Sequence, residues 1–300
     1  MSHPLIDGQS ARSADLTFRL WGSNAIADVP QASDAYHGIR DRKLLLVHGY
    51  NVREVSGQRS MHRLRDAIGA RCAALGDRCL TVTWAGNASL LQGERLRYAA
   101  KVPVAVQTAE AFHNHLVRHY RNGGGARQLI IVAHSLGCRV TMELLRRLGG
   151  SGRPAVLEQI VVILMAAAVP IEQIDLIDRA LTTADKLVVL HSQADSTLRR
   201  FFSIGQRIAG EPSREAVGLA GNPRLSDWSY ERAMIVLDHG EYWASSFVAD
   251  VICQKLREYF PDVLLRRDLG AEHALRTTAP LGETEFLAMS SIWMRPALPF

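Results

Sequence analysis

The most informative pattern in the chain is a series of short apolar runs that alternate with longer stretches of helical spacing. The runs are rich in leucine and β-branched residues and lie at Leu44–Val47, Leu80–Trp84, Leu129–Ala133, Ile160–Met165, Leu187–Leu190 and Ala233–Leu237. The amphipathic stretches are 58–75, 104–121, 136–148, 171–181 and 243–259. This alternation is typical of parallel strands joined by crossover helices. Because the runs are almost continuously apolar, we expect each strand to be covered on both faces.

The pattern therefore predicts an α/β fold with a doubly wound, mostly parallel sheet and crossover helices on both faces. We assign this domain to residues 41–260. Residues 1–40 and 261–300 show no alternation of strands and helices, and we interpret them as an N-terminal and a C-terminal extension.

Composition and charge narrow the class of protein. The 300 residues are 47% hydrophobic and 22% charged, as in globular proteins, and a net charge of +5 is spread along the chain. We therefore expect no nucleic-acid partner, since nucleic-acid binding usually needs a clustered basic face. The longest apolar stretch, Ile160–Val169, is about half the length that a membrane-spanning helix needs. With no cationic start followed by an apolar core at the N-terminus, these features predict a cytoplasmic protein without a transmembrane segment.

Cysteines and histidines give little indication of a metal or another cofactor. The four cysteines, Cys72, Cys79, Cys138 and Cys253, lack the spacing of zinc ligands, and without an export signal we expect them to be reduced. A Cys72–Cys79 disulfide is the less favoured alternative. His115 and His119 have a spacing that two metal ligands can use, but no matching carboxylate or cysteine accompanies them. We predict no cofactor and no metal.

The candidate chemistry begins at the segment AHSLG, Ala133–Gly137. Ser135 follows a strand directly and precedes a helix, with small residues two positions before and after it. A strand that turns at once into a helix strains the serine backbone and projects its hydroxyl outward, as in the nucleophile elbow usually written GxSxG. Ala133 replaces the first glycine here. The competing interpretation is that Ser135 is an ordinary helix N-cap.

A second segment, LLLVHGYNV, predicts the oxyanion site. Its strand ends at His48-Gly49, which places a loop with backbone N–H groups at the carboxyl edge of the sheet. A tetrahedral intermediate needs two such donors, and we assign them to the backbone N–H groups of Tyr50 and Leu136. We interpret His48 as a residue that braces this loop, and Asn51 as either a loop-ordering amide or a polar contact.

The remaining catalytic groups are predicted from chain order, which in this type of fold is serine, acid, histidine. Asp195 follows the strand at Leu187–Leu190, and His239 follows the strand at Ala233–Leu237, so both emerge at the same edge as Ser135. Asp175, one strand earlier, is the alternative acid. Two further competitors are weaker. His191 is a histidine that suits the core or a pocket wall, and Asp238 is a carboxylate that suits a turn at the end of a strand.

These residues together give the chain a family resemblance. The segments HGYN, TWAGN, AHSLG, SQADSTL and DHGEYW, which lie between residues 43 and 258, resemble those of α/β-hydrolases, and in particular the bacterial serine hydrolases grouped as domain of unknown function 900. The resemblance implies Ser135 as nucleophile, Asp195 as acid and His239 as base. It also implies carboxylesterase-like or lipase-like chemistry.

The expected function is that of a serine hydrolase that cleaves a small-molecule or lipid acyl ester through an acyl-enzyme. Two alternatives stay open at this point, an acyltransferase with the same triad and a binding protein that keeps the fold without catalysis. Residues 85–103 and 197–231 are the segments that could roof the site, either as lids or as ordinary helices with an apolar underside. The substrate and the oligomeric state do not follow from the sequence.

Overall fold

A computed structural model describes residues 17–20, 42–50, 54–72, 79–84, 94–123, 125–212, 214–220 and 230–260. The strands in this part of the chain are β1 (Thr17–Leu20), β2 (Arg42–Val47), β3 (Cys79–Thr83), β4 (Gln128–His134), β5 (Gln159–Met165), β6 (Lys186–His191) and β7 (Tyr230–Met234). The helices are α1 (Glu54–Arg71), α2 (Glu94–Arg121), α3 (Leu136–Ser151), α4 (Ile174–Thr183), α5 (Ser203–Ile208), α6 (Val217–Ala220) and α7 (Ser246–Tyr259). A π-helical segment, Leu198–Phe202, leads directly into α5.

All described strands belong to one sheet with the order β1-β3-β2-β4-β5-β6-β7. Every neighbouring pair is parallel except β1 and β3, which are antiparallel. The registers pair Val47 with Ala133 and His134 with Met165, so the carboxyl ends of β2, β4 and β5 meet at one edge. The prediction of a doubly wound, mostly parallel sheet is therefore confirmed.

The two faces of the sheet bury separate cores. Alternate residues of β2 and β4 point to opposite faces, with Leu45 and Ile131 in the core under α2, α3 and α4, and Leu44 and Ile130 in the core under α1 and α7. Because both faces are covered, all six residues of β2 are buried. This explains why the strands appear in the sequence as continuous apolar runs.

Three elements differ from the predicted pattern. Strand β1 lies in the segment that we interpreted as an extension, and its four residues are too short a run to stand out. Helix α2 begins at Glu94, ten residues before the predicted start, because Pro103 is accommodated inside the helix instead of ending it. Strand β7 is Tyr230–Met234 and not Ala233–Leu237, since the apolar run continues beyond the sheet into the following loop.

Gly137, in the first turn of α3, allows the end of β2 to pack against the helix. A Cβ atom at this position would lie 2.3 Å from the carbonyl oxygen of His48 and 2.9 Å from that of Val47. Both are backbone atoms, which cannot move aside cheaply. Glycine at this position is therefore required by close approach of the two segments.

Two glycine substitutions in the same helix test this packing. We expect Gly137→Ala to lower the free energy of unfolding by about 1–3 kcal/mol through overpacking. Gly150→Ala is the matched control: its Cβ would meet nothing within 4 Å, and we expect a change of no more than about 1 kcal/mol in the stabilising direction. Urea unfolding of both variants gives the comparison. Equal effects at the two positions would contradict the packing argument.

Candidate active site

Ser135 occupies the turn between β4 and α3 with φ 54° and ψ −125°, a conformation that L-residues rarely adopt. Such strain costs on the order of 1–3 kcal/mol and persists only where surrounding contacts enforce it. Here the N–H of Ser135 donates to the carbonyl of Met165 at 2.9 Å, and its carbonyl accepts from the N–H groups of Cys138 and Ala168 at 3.0 and 3.2 Å. The Ser135 side chain makes no capping hydrogen bond to α3. The geometry is therefore that of an elbow and not of an ordinary N-cap.

The hydroxyl of Ser135 is hydrogen-bonded to an imidazole. The distance from Ser135 Oγ to His239 Nε2 is 2.9 Å, and the distance from His239 Nδ1 to Asp195 Oδ2 is 2.8 Å. Asp195 is fully buried, whereas the His239 side chain is 17% exposed. The other carboxylate oxygen of Asp195 accepts the N–H of Leu198 at 2.8 Å, which fixes the carboxylate orientation. The structure thus brings together the three residues that the sequence analysis selected for this site.

The alternative residues lie elsewhere or have other partners. Asp175 is on the exposed side of α4, where it pairs with Arg179 at 2.9 Å. His191 is buried at the end of β6. Asp238 is next to His239 in sequence but accepts hydrogen bonds from Ser196 instead of contacting the imidazole. Among the residues that the structure describes, Asp195 is therefore the carboxylate that meets the histidine.

The loop after β2 packs directly on Ser135. A Cβ atom added to Gly49 would lie 2.7 Å from Ser135 Cβ, so the loop backbone approaches as closely as a glycine permits. Tyr50 follows Gly49, and Leu136 is the first residue of α3. Of the two residues predicted to supply oxyanion donors, Leu136 follows Ser135 in the chain, and Tyr50 belongs to the loop that packs on Ser135. Asn51 lies outside the described residues.

His48 braces this loop through two hydrogen bonds that it accepts from Trp84. The Trp84 N–H donates to His48 Nε2 at 3.1 Å, the Trp84 indole donates to the His48 carbonyl at 2.8 Å, and the two rings stack. With Nε2 an acceptor, the proton sits on Nδ1, which donates to the Gly49 carbonyl at 2.8 Å. Burial lowers the pKa of His48, which favours this neutral form.

His134 is a part of the site that the sequence analysis did not single out. Its Nε2 lies 2.8 Å from the carbonyl oxygen of His239, and its ring packs against the rings of His239, Tyr242 and Trp243 with centroids 4.9–5.7 Å apart. Burial, and to a smaller extent the neighbouring His239, lowers the pKa of His134 to about 3. His134 is therefore neutral, and Nε2 carries its proton because a carbonyl can only accept.

Asp238 and two serines join the loops that carry Asp195 and His239. The N–H and hydroxyl of Ser196 both donate to Asp238, at 2.8 and 2.9 Å, and the N–H of His239 donates to the same oxygen at 2.9 Å. These hydrogen bonds lower the pKa of Asp238. The hydroxyl of Ser192 donates to the carbonyl of Leu237 at 2.6 Å. The acid loop and the base loop are therefore fixed to each other at two points.

Aromatic side chains continue from the loop after β2 toward the segment after Asp195. The Tyr50 ring meets Tyr98 edge-on at 5.5 Å, and Tyr98 meets Phe202 at 6.4 Å. Gln206 donates to the Tyr98 hydroxyl at 2.9 Å, and a Cβ at Gly205 would lie 2.4 Å from the Tyr98 ring. α5 is thus packed closely on α2.

The two segments that could roof the site have ordinary helical packing where they are described. Leu198 and Phe202 are buried, whereas Arg199, Arg200 and Phe201 are exposed. Residues 94–103 belong to α2, and residues 85–93 and 221–229 lie outside the described part. The interpretation as helices with an apolar underside therefore fits the described residues.

Within the described ranges, no group of three or more His, Cys, Asp and Glu residues could hold a metal ion. His113, on the same helix as His115 and His119, contacts the Ser151 hydroxyl at 2.7 Å. None of the described helices combines the length and the apolarity needed to cross a bilayer.

A doubly wound sheet with a serine at a strained strand-to-helix turn, and an acid and a histidine on later loops of the same edge, defines an α/β-hydrolase fold. Residues 35–254 match the family described as alpha/beta hydrolase of unknown function (DUF900). Since this match covers most of the chain, the protein belongs to that family, as the sequence resemblance indicated.

Solved esterases are among the structures to which this chain is similar, at low sequence identity. Esterase PE8 is 13% identical with a TM-score of 0.41, over 74% of this chain and 94% of its own. The apo form of Thermogutta terrifontis esterase 2 is 11% identical with a TM-score of 0.37, over 82% of this chain and 90% of its own. A search of curated proteins returned no match. The family assignment therefore comes from the family match.

The buried neutral His134 predicts a dependence of stability on pH. The unfolded chain binds a proton at this histidine below its ordinary pKa of 6.5, whereas the folded protein excludes it down to a pKa of about 3. Stability is therefore lost as pH falls below 6.5. Between pH 7 and pH 5 this histidine alone should lower the free energy of unfolding by about 2 kcal/mol.

Urea unfolding of the wild type, His134→Gln and His113→Gln at both pH values measures this effect. We expect the wild type and the control at the partly exposed His113 to lose the same amount, and His134→Gln to lose about 2 kcal/mol less. Identical pH dependence in all three proteins would contradict the assignment of His134 as a buried neutral imidazole.

Proposed function

We propose that this protein is a serine hydrolase of the carboxylesterase or lipase type, which cleaves an acyl ester through Ser135, His239 and Asp195. The observation that carries the proposal is the uninterrupted chain of hydrogen bonds from Ser135 Oγ through His239 to Asp195, with distances of 2.9 and 2.8 Å. These are the distances that proton transfer between a nucleophile and its base requires. The elbow conformation of Ser135 supports the same role.

In this mechanism Ser135 Oγ attacks the acyl carbonyl while His239 Nε2 accepts the hydroxyl proton. Asp195 accepts the Nδ1–H of His239, which selects the tautomer with a free lone pair on Nε2 and stabilises the imidazolium that forms. His239 then donates the proton to the leaving alcohol. Water attacks the acyl-enzyme with His239 as base, and the acid product leaves with Ser135 restored.

The negative charge on the tetrahedral oxygen needs donors that are already in place. We assign this role to the backbone N–H groups of Leu136 and Tyr50. The close contact of Gly49 with Ser135 supports the assignment, because it places the loop next to the nucleophile. Preorganised donors of this kind commonly contribute ~3 kcal/mol to transition-state stabilisation.

The substrate class proposed is a small-molecule or lipid ester. Tyr50 and Tyr98, which pack edge-on at 5.5 Å, lie next to the proposed oxyanion donor and offer an apolar surface for an acyl or alcohol group. We therefore expect short p-nitrophenyl esters to serve as test substrates.

Three substitutions test the triad in p-nitrophenyl ester hydrolysis. We expect Ser135→Ala to lower kcat by about 10⁶-fold, because the nucleophile is lost. Asp195→Asn should lower kcat by about 10⁴-fold, because an amide favours the wrong imidazole tautomer. Asp175→Asn is the matched control at the exposed Asp175–Arg179 pair and should change kcat by less than about twofold.

Two results would count against this proposal. A larger loss in Asp175→Asn than in Asp195→Asn would assign the role of the acid to Asp175. Hydrolysis that survives in Ser135→Ala at the wild-type rate would remove Ser135 from the mechanism altogether.

A further inference from the structure

The backbone of His239 is held at both of its peptide groups by side chains. Its N–H donates to Asp238 Oδ1 at 2.9 Å, and its carbonyl accepts from His134 Nε2 at 2.8 Å. Asp238 is in turn held by Ser196, which follows Asp195 directly in the chain. His134 directly precedes Ser135. The backbone of the proposed base is therefore held both from the loop that carries Asp195 and from the turn that carries Ser135.

His134 can make this contact only through one nitrogen. Nδ1 is buried and has no hydrogen-bond partner among the described residues. It faces Gly49, where an added Cβ would lie 3.1 Å away. One ring nitrogen of His134 is thus unpartnered, and the other donates to a carbonyl. The hydrogen bond to His239 is therefore the polar interaction that explains a histidine at this buried position.

We propose that His134 is a positioning residue, whose Nε2–H holds the His239 carbonyl so that the His239 ring stays aligned between Ser135 and Asp195. It acts on the reaction through His239 and touches neither the serine hydroxyl nor the substrate. The proposal rests on the proposed function, because it gives His134 a role in the same triad.

The electrostatics favour a neutral ring at this position. The His134 and His239 ring centroids are 4.9 Å apart, and the mechanism places a positive charge on His239 in the transition state. A second positive charge at that distance would oppose the imidazolium. Burial keeps the pKa of His134 near 3, so the ring holds the base loop without adding charge.

The sharpest test compares two substitutions that differ in the donor. Glutamine at position 134 can present a side-chain N–H near the former Nε2, whereas leucine fills the volume without a donor. His113→Leu is the matched control, since His113 contacts Ser151 on the surface and lies outside the proposed machinery. The readouts are kcat and KM for p-nitrophenyl acetate, with near-ultraviolet circular dichroism to confirm the native fold.

We expect His134→Leu to lower kcat by roughly 10- to 100-fold, because a displacement of about 1 Å in a catalytic group has effects of this size. KM should stay within about twofold, since substrate binding is not the affected step. His134→Gln should recover kcat to within about fivefold of the wild type, and His113→Leu should match the wild type.

A second readout does not depend on turnover. In the proton NMR spectrum, the Nδ1–H of His239 on Asp195 should give a downfield resonance, identified by its loss in Asp195→Asn. We expect this resonance in the wild type and in His134→Gln, and its broadening or loss in His134→Leu. The same result is expected even if the wild type hydrolyses no ester, which separates this inference from the proposed function.

Several outcomes would overturn the positioning role. These are an unchanged kcat and resonance in His134→Leu, a loss confined to KM, and equal losses in His134→Leu and His134→Gln with the native fold retained. If His134→Leu does not fold, the decision falls to His134→Gln, which must then keep kcat within about fivefold of the wild type and retain the resonance.

Discussion

The strained backbone at Ser135 is the constraint on which the rest of the site depends. Its positive φ turns β4 into α3 without an intervening loop, so the hydroxyl projects from the carboxyl edge of the sheet. Backbone hydrogen bonds to Met165 and Ala168 hold that conformation from the neighbouring strand and loop. Gly137 and Gly49 leave room for the loop after β2 to pack against the turn. A parallel sheet provides these neighbours because its strands all end at the same edge.

Asp195 and His239, the proposed acid and base, are ordered by contacts between their loops. Ser192 and Ser196 on the acid loop bond to Leu237 and Asp238 on the base loop, and the buried Asp195 bonds to His239. Each loop thus restricts the other. Catalytic groups need positions fixed to a fraction of an ångström, and loops rarely supply such precision alone. The hydrogen bonds between the two loops supply further contacts that fix the positions of Asp195 and His239.

Much of the fold could be predicted, and a candidate triad selected, because both leave local signals. Buried parallel strands appear as apolar runs, and Ser135, Asp195 and His239 follow such runs in the order that the fold requires. The choice of Asp195 over Asp175 depended on loop position and on the family resemblance, and the structure adds the observation that Asp175 lies in an exposed ion pair with Arg179.

The missed features depend on contacts between residues that are distant in sequence. Strand β1 exists because it pairs with β3, and four residues carry too little pattern to indicate it. His134 contacts the carbonyl of a residue 105 positions away, and Asp238 accepts from Ser196, 42 positions earlier. Neither residue type is unusual at its position, so composition and periodicity contain no signal for these contacts.

The central claim is that Ser135 is an activated nucleophile within this triad. The most direct measurement is the mass of the intact protein after reaction with a fluorophosphonate, followed by peptide mapping of the adduct. The account predicts one adduct per chain, on Ser135, and none in Ser135→Ala. A natively folded wild-type protein that takes up no adduct, or one modified at another residue, would contradict it.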